Sequence, residues 1–235
     1  RKYMSPKMIP LPIKNRLLFL GFLLLFWLIF FWSSRLLFIV YHWPIVCQMT
    51  YFEILNTFFY GFRLDLSSSA YLSFPAFLMV AFLIQGGERY NRFWLTGLIL
   101  WMVFALTGCS IIIITDLELF SSWKNRIDAT ILNYMNQPIE IVHFVSYGKL
   151  AWLLCLVLIL GCSFFIGFRK WVWSFLSFSK EKTKIQFVNS FFQSIFFLFL
   201  SSLLVLPMRG GIQQIPLNQS AVFFSDKNVL NLVAI

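Results

Sequence analysis

Long apolar runs separated by short charged breaks set the pattern of this chain. Five stretches contain no Asp, Glu, Lys or Arg: Leu17–Ser34, Leu66–Gly87, Phe93–Thr115, Leu150–Phe168 and Ile185–Met208. A bilayer core about 30 Å thick is crossed by about 20 apolar residues in a helix rising 1.5 Å per residue. Each stretch is long enough, which predicts five spans at 17–34, 66–85, 94–114, 150–168 and 187–207. A sixth run, Leu36–Phe52, is interrupted by His42, Pro44 and Gln48. Proline removes a helix donor, so this run reads as interfacial or half inserted. Lys14 and Arg16 before the first run resemble a signal-peptide flank. That run exceeds the usual apolar core of about 7–15 residues and no small-x-small cleavage site follows, so it is a retained span. The expected fold is all-α and integral to a membrane.

Composition agrees. Of 235 residues, 60% are hydrophobic and 12% charged, against about 25% charged in a soluble domain. This excludes an ordinary soluble enzyme, a disordered tail and a nucleic-acid module. The net charge of +10 is explained by topology. With the N-terminus inside, the cytoplasmic pieces 1–16, 86–93 and 169–186 hold twelve basic residues against Glu88 and Glu181. The outer pieces hold seven basic and seven acidic residues. Basic residues concentrated in cytoplasmic loops are the positive-inside pattern. The expected orientation is N-terminus inside and, with an odd number of spans, C-terminus outside. Cys47, Cys109, Cys155 and Cys162 show no CxxC or zinc-type spacing and read as unpaired thiols.

The outer loops carry the candidate chemistry. Trp123, Ile127, Ile131 and Tyr134 fall on one helical face, with Lys124 and Asp128 four apart, which predicts an interfacial helix between spans 3 and 4. Pro138 ends it and opens a short segment with Glu140 and His143. Arg63 and Asp65, just before the second span, form a charged pair at membrane depth. They either set the start of the helix as an ion pair or hold a lipid phosphate, Arg63 binding and Asp65 orienting it. Asp116 and Glu118, after the third span, could bind a metal or act as a base; the alternative is a loop-helix cap. Arg126 and Glu140 complete the outer-loop candidates. Arg209-Gly210-Gly211 lacks a phosphate-loop pattern and reads as a hinge. No metal ligand set and no nucleophilic triad is visible. Three regions are expected: a cytoplasmic N-terminus (1–16), a five-span domain (17–207) and an extracytoplasmic linker (208–235). The start at Arg1 and the stop at Val233-Ala234-Ile235 read as the ends of a segment of a longer protein whose next domain lies outside.

Several short motifs, in order, resemble lipoteichoic-acid-synthase-like proteins. They are Tyr60-Gly61-Phe62-Arg63-Leu64-Asp65-Leu66-Ser67, then Asp116, Trp123 and Arg126 followed by Asn133-Tyr134 and Pro138-x-Glu140. Arg209-Gly210-Gly211, Pro216-Leu217-Asn218 and Phe223-Phe224-Ser225 follow. The resemblance implies five spans and then an extracellular sulfatase-like domain with a threonine nucleophile and a divalent metal, usually Mn. Such an enzyme transfers phosphoglycerol, or in related members phosphoethanolamine, from a membrane phospholipid to an acceptor. It further implies that Arg63 and Asp65 lie near the donor headgroup. Nucleophile and metal ligands belong to the outer domain, so the chain's partners are a membrane phospholipid and its own C-terminal domain, and this segment alone is expected to be inactive. Two other classes compete with it: a polyprenyl-phosphate glycosyltransferase using Asp116 and Glu118, and a transporter, which the lack of an inverted repeat and of mid-membrane charge disfavours.

Overall fold

The computed structural model describes residues 13–82, 88–124, 126–127, 147–176, 187–211, 217, 223–225 and 233. The chain is an all-α membrane protein, with no strand among the described residues. The helices are α1 (Ile13–Tyr41), α2 (Trp43–Val46), α3 (Tyr51–Phe82), α4 (Glu88–Trp123), α5 (Tyr147–Leu176), α6 (Phe187–Leu203) and α7 (Val205–Met208). Five stretches are long and apolar enough to cross a bilayer: Ile13–Tyr41, Tyr51–Phe82, Arg92–Ser121, Gly148–Trp171 and Phe191–Met208.

Several helices extend well beyond the apolar runs. The helix of the second span begins at Tyr51 rather than near position 66 because the Thr50 N–H donates to Glu53 Oε2 at 2.8 Å. Thr50 and Glu53 stand in the spacing of a capping box, which starts a helix. α1 runs on through Arg35 to Tyr41, so the sixth apolar run is not one interfacial segment. Its first half completes α1; Pro44 then sits in the first turn of the short α2, where its missing N–H costs no helix bond. Arg35, Arg63, Asp65, Asp116 and Glu118 consequently lie inside helices rather than at their mouths.

The third helix is central, packing against α1, α4, α6 and α7. Its buried positions are mostly small: Gly61, Ser67, Ser69, Ala70, Ser73, Ala76 and Ala81. In lipid there is little hydrophobic drive between helices, and small side chains let backbones approach and pack. Among the side-chain bonds that join neighbours to α3 are Trp101 Nε1–H to the Leu72 carbonyl at 2.9 Å and Ser194 Oγ–H to the Ala81 carbonyl at 3.0 Å. One core layer is aromatic, with Phe30 meeting Phe164 edge-on at 5.0 Å beside the fully buried Trp27. α5 presents Trp152, Leu158 and Ile159 outward, as a lipid-facing helix must. A second apolar layer, Phe38, Ile39, Val46, Ile114, Leu117, Phe120 and Val233, closes the end of the bundle that carries α2.

Candidate functional site

Charge gathers at that α2 end. Arg35 on α1 and Asp65 on α3 are 4% and 6% exposed and form a two-bond fork, Nη1 to Oδ2 at 2.8 Å and Nη2 to Oδ1 at 3.0 Å. Beside them stands Asp116 on α4. Its partner arrives from beyond the helix end: Lys124 takes a left-handed φ of 56° and turns the chain back. Arg126 Nε then lies 2.8 Å from Asp116 Oδ2, and the Ile127 N–H donates to Oδ1 at 2.8 Å. The Arg126 guanidinium also covers the Phe38 ring at 4.4 Å, a favourable cation–π distance.

These four residues line a cavity of about 120 Å³ whose walls also include Ser34 and Val233. Two cations and two carboxylates leave the cluster neutral, the condition under which charge is tolerated at membrane depth. Burial lowers the Arg126 pKa from its ordinary value and Asp116 opposes that shift. Next to the cluster, His42 Nε2 lies 3.1 Å from the Leu117 carbonyl. Burial is the main cause of a lowered His42 pKa, with Lys124 and Arg126 adding to it. The ring is therefore neutral at pH 7 and donates its Nε2 proton to that carbonyl. Glu118 faces elsewhere, held by Lys149 Nζ and by the Tyr41 hydroxyl at 3.3 Å.

A second set of contacts joins α3 to the segment after the last span. Arg63 Nη2 donates to the Gly210 carbonyl at 3.2 Å and Ser67 Oγ to the Met208 carbonyl at 2.7 Å. Tyr60 stacks on Phe224 with centroids 4.7 Å apart and planes 3° from parallel. Gly210 has φ +77°, and a Cβ there would sit 2.9 Å from Leu217 Cβ, so only glycine fits. Two motifs far apart in sequence, Tyr60–Ser67 and Arg209–Gly211 with Phe224, are one structural unit.

Several expectations need correction. Arg63 and Asp65 do not pair. Two residues apart on a helix means about 200° of rotation, so Asp65 turns inward to Arg35 and Arg63 turns to the exit segment. Asp116 and Glu118 are split by the same geometry, and each is engaged by a cation, so they form neither a shared metal site nor a free base. Asp116 is a helix residue that anchors the returning chain rather than a loop-helix cap. The interfacial helix does not start at Trp123, because Lys124 breaks the helix and Arg126 and Ile127 are not helical. Its remainder, with Asp128, Glu140 and His143, lies outside the described residues. The four cysteines are free. Arg35, Tyr41, His42 and Lys149 were missed as site residues. A usable signal for Arg35 was the apolar helical pattern resuming at Leu36, which marks a charge inside a helix rather than at its end.

No protein-family model, curated protein or solved structure matches the chain. The functional reading therefore rests on the residues themselves. Among the described residues no group of three or more His, Cys, Asp or Glu could hold a metal ion. The carboxylates of the cluster are already bound by guanidinium groups, and a divalent cation does not fit there.

Proposed function

We propose that this chain is the membrane portion of an extracytoplasmic transferase that moves a phospholipid headgroup, phosphoglycerol or phosphoethanolamine, to a cell-envelope acceptor. In this reading the bundle anchors the enzyme and presents the lipid donor. The threonine nucleophile and its metal, Mn or another divalent ion, belong to an outer domain. The observation that carries the reading is the meeting of the motifs on which the family resemblance rests. Tyr60, Arg63 and Ser67 grip the exit after the last span, and Asp65, Asp116 and Arg126 share one cavity. A donor lipid keeps its headgroup at the interface, so an enzyme acting on it needs polar groups at that depth and a catalytic domain held against the surface. The engagement of both oxygens of Asp116, and of Glu118 by Lys149 and Tyr41, weighs against a glycosyltransferase base at those positions.

The test uses the full-length protein encoded by the gene, reconstituted with phosphatidylglycerol or phosphatidylethanolamine and Mn. Diacylglycerol release that stops on chelation is the expected result. No metal-dependent release from either lipid would end this proposal.

A further inference from the structure

We propose that the cavity between α1, α3 and α4 is an oxyanion site for a phosphate ester, with the uncommitted N–H groups of Arg126 as its donors. A guanidinium carries five N–H donors. Arg126 meets Asp116 through Nε, and its remaining nitrogens form no hydrogen bond among the described residues. The contrast with Arg35 is direct: that arginine spends both Nη groups on Asp65 in a two-bond fork. An arginine needed only to neutralise Asp116 would gain most from the same fork. Instead the second oxygen of Asp116 is taken by the Ile127 N–H. Asp116 is fully served, and Arg126 keeps donors to spare beside a cavity it lines.

The cavity suits such a ligand. One water needs about 10–15 Å³ by this measure, and the cavity's 120 Å³ gives room for several waters or one tetrahedral phosphate. Both oxygens of Asp65 and of Asp116 are already bound by donors, so an incoming oxyanion meets no uncommitted carboxylate there. The cluster sits toward the end of the bundle, six residues short of the α1 terminus at Tyr41. That is headgroup depth rather than the bilayer centre. The oxyanion chemistry stands on this geometry alone; a lipid as the source of the phosphate rests on the headgroup-transfer reading.

The test is calorimetric titration of the full chain in detergent with inorganic phosphate, with glycerol phosphate and with short-chain phosphatidylglycerol. Short-chain diacylglycerol serves as the phosphate-free control. Binding of a phosphate-bearing ligand, and none of diacylglycerol, is expected. A preference for the phospholipid marks a lipid source, and a preference for glycerol phosphate a soluble one. Arg126→Lys keeps a cation beside Asp116 but replaces the planar fork by a point charge, and is expected to weaken binding at least about tenfold. Lys170→Gln removes an exposed charge that does not line the cavity and is expected to leave affinity within about twofold. If Arg126→Lys fails to fold, Asp116→Asn with Arg126→Gln removes the pair as a neutral unit and should show the same loss. The proposal is overturned if no phosphate ligand binds tighter than about 1 mM. It is also overturned if Arg126→Lys binds like the parent, or if Arg63→Gln abolishes binding while Arg126→Lys does not. Phosphate binding without metal-dependent headgroup release would remove the transfer reading and keep this site. Headgroup release with Arg126→Lys binding unchanged would do the reverse.

Discussion

Replacing Asp65 by Asn leaves the helix contacts in place and removes one charge from between three packed helices. Arg35 donates to both oxygens of Asp65, at 2.8 and 3.0 Å, and both side chains are nearly inaccessible. Asparagine keeps one acceptor and sets its amide N–H₂ against a guanidinium N–H, donor to donor. Removing one partner of a buried ion pair costs about 3–5 kcal/mol, because the other charge is left without compensation. Asp116 across the cavity and the Phe58 ring 5.5 Å from the Arg35 guanidinium soften that loss. The expected value is the lower end, about 3 kcal/mol. Unfolding in mixed detergent micelles, followed by tryptophan fluorescence, measures it. Glu118→Gln is the internal contrast. Its partner Lys149 has a side chain 47% exposed, so the loss there should stay under about 1 kcal/mol. Arg35→Met with Asp65→Leu removes both charges and should recover most of the stability lost in Asp65→Asn. The reasoning is refuted if Asp65→Asn costs no more than Glu118→Gln, or if the double variant is as damaged as the sum of its parts.

Three further outcomes are expected. Burial lowers the His42 pKa, so as pH falls the unfolded chain takes up a proton first. Stability is then full above about pH 6.5 and declines as pH drops through that value toward the lowered native pKa; His42→Gln should flatten this part of a melting-temperature profile. Tyr60→Ala or Arg63→Gln should make trypsin cleave after Arg209 several-fold faster, since each removes a contact that holds the exit segment; an unchanged rate would show that these contacts do not restrain it. Cys47 is free and exposed, so with the N-terminus inside, a membrane-impermeant maleimide should label it on intact cells. Labelling only after permeabilisation would reverse the orientation.

The five crossings were legible in the chain because apolar runs of span length have few other uses. Their extents were not. A charge at the edge of a run was read as the end of a helix, yet Arg35 continues α1 because Asp65 neutralises it. The early start of α3 was written in Thr50 and Glu53, a local signal overshadowed by the apolar pattern around it. The central place of α3 follows from its small residues, Ser67 to Ala70 among them, which are visible in the sequence only once packing in lipid is weighed. Asp65 and Asp116 stand out in the sequence, but each was grouped with a residue two positions away, Arg63 and Glu118, rather than with Arg35 and Arg126. Helix geometry separates positions two apart, and the true partner of Asp65 lies 30 residues away, where no local pattern points. The docking of Tyr60 and Arg63 on the exit segment is likewise a long-range pairing that no periodicity encodes.

The same separation bears on how the protein is made. Arg35 leaves the ribosome 30 residues before Asp65, and a lone arginine costs about 2.5–3.5 kcal/mol at the bilayer centre and less near the interface, where Arg35 lies. α1 therefore gains its full stability in the membrane only when α3 arrives beside it and Asp65 neutralises Arg35. Asp116, by contrast, meets Arg126 as soon as the chain has turned at Lys124. Charges enter this bundle in the order in which synthesis supplies their partners.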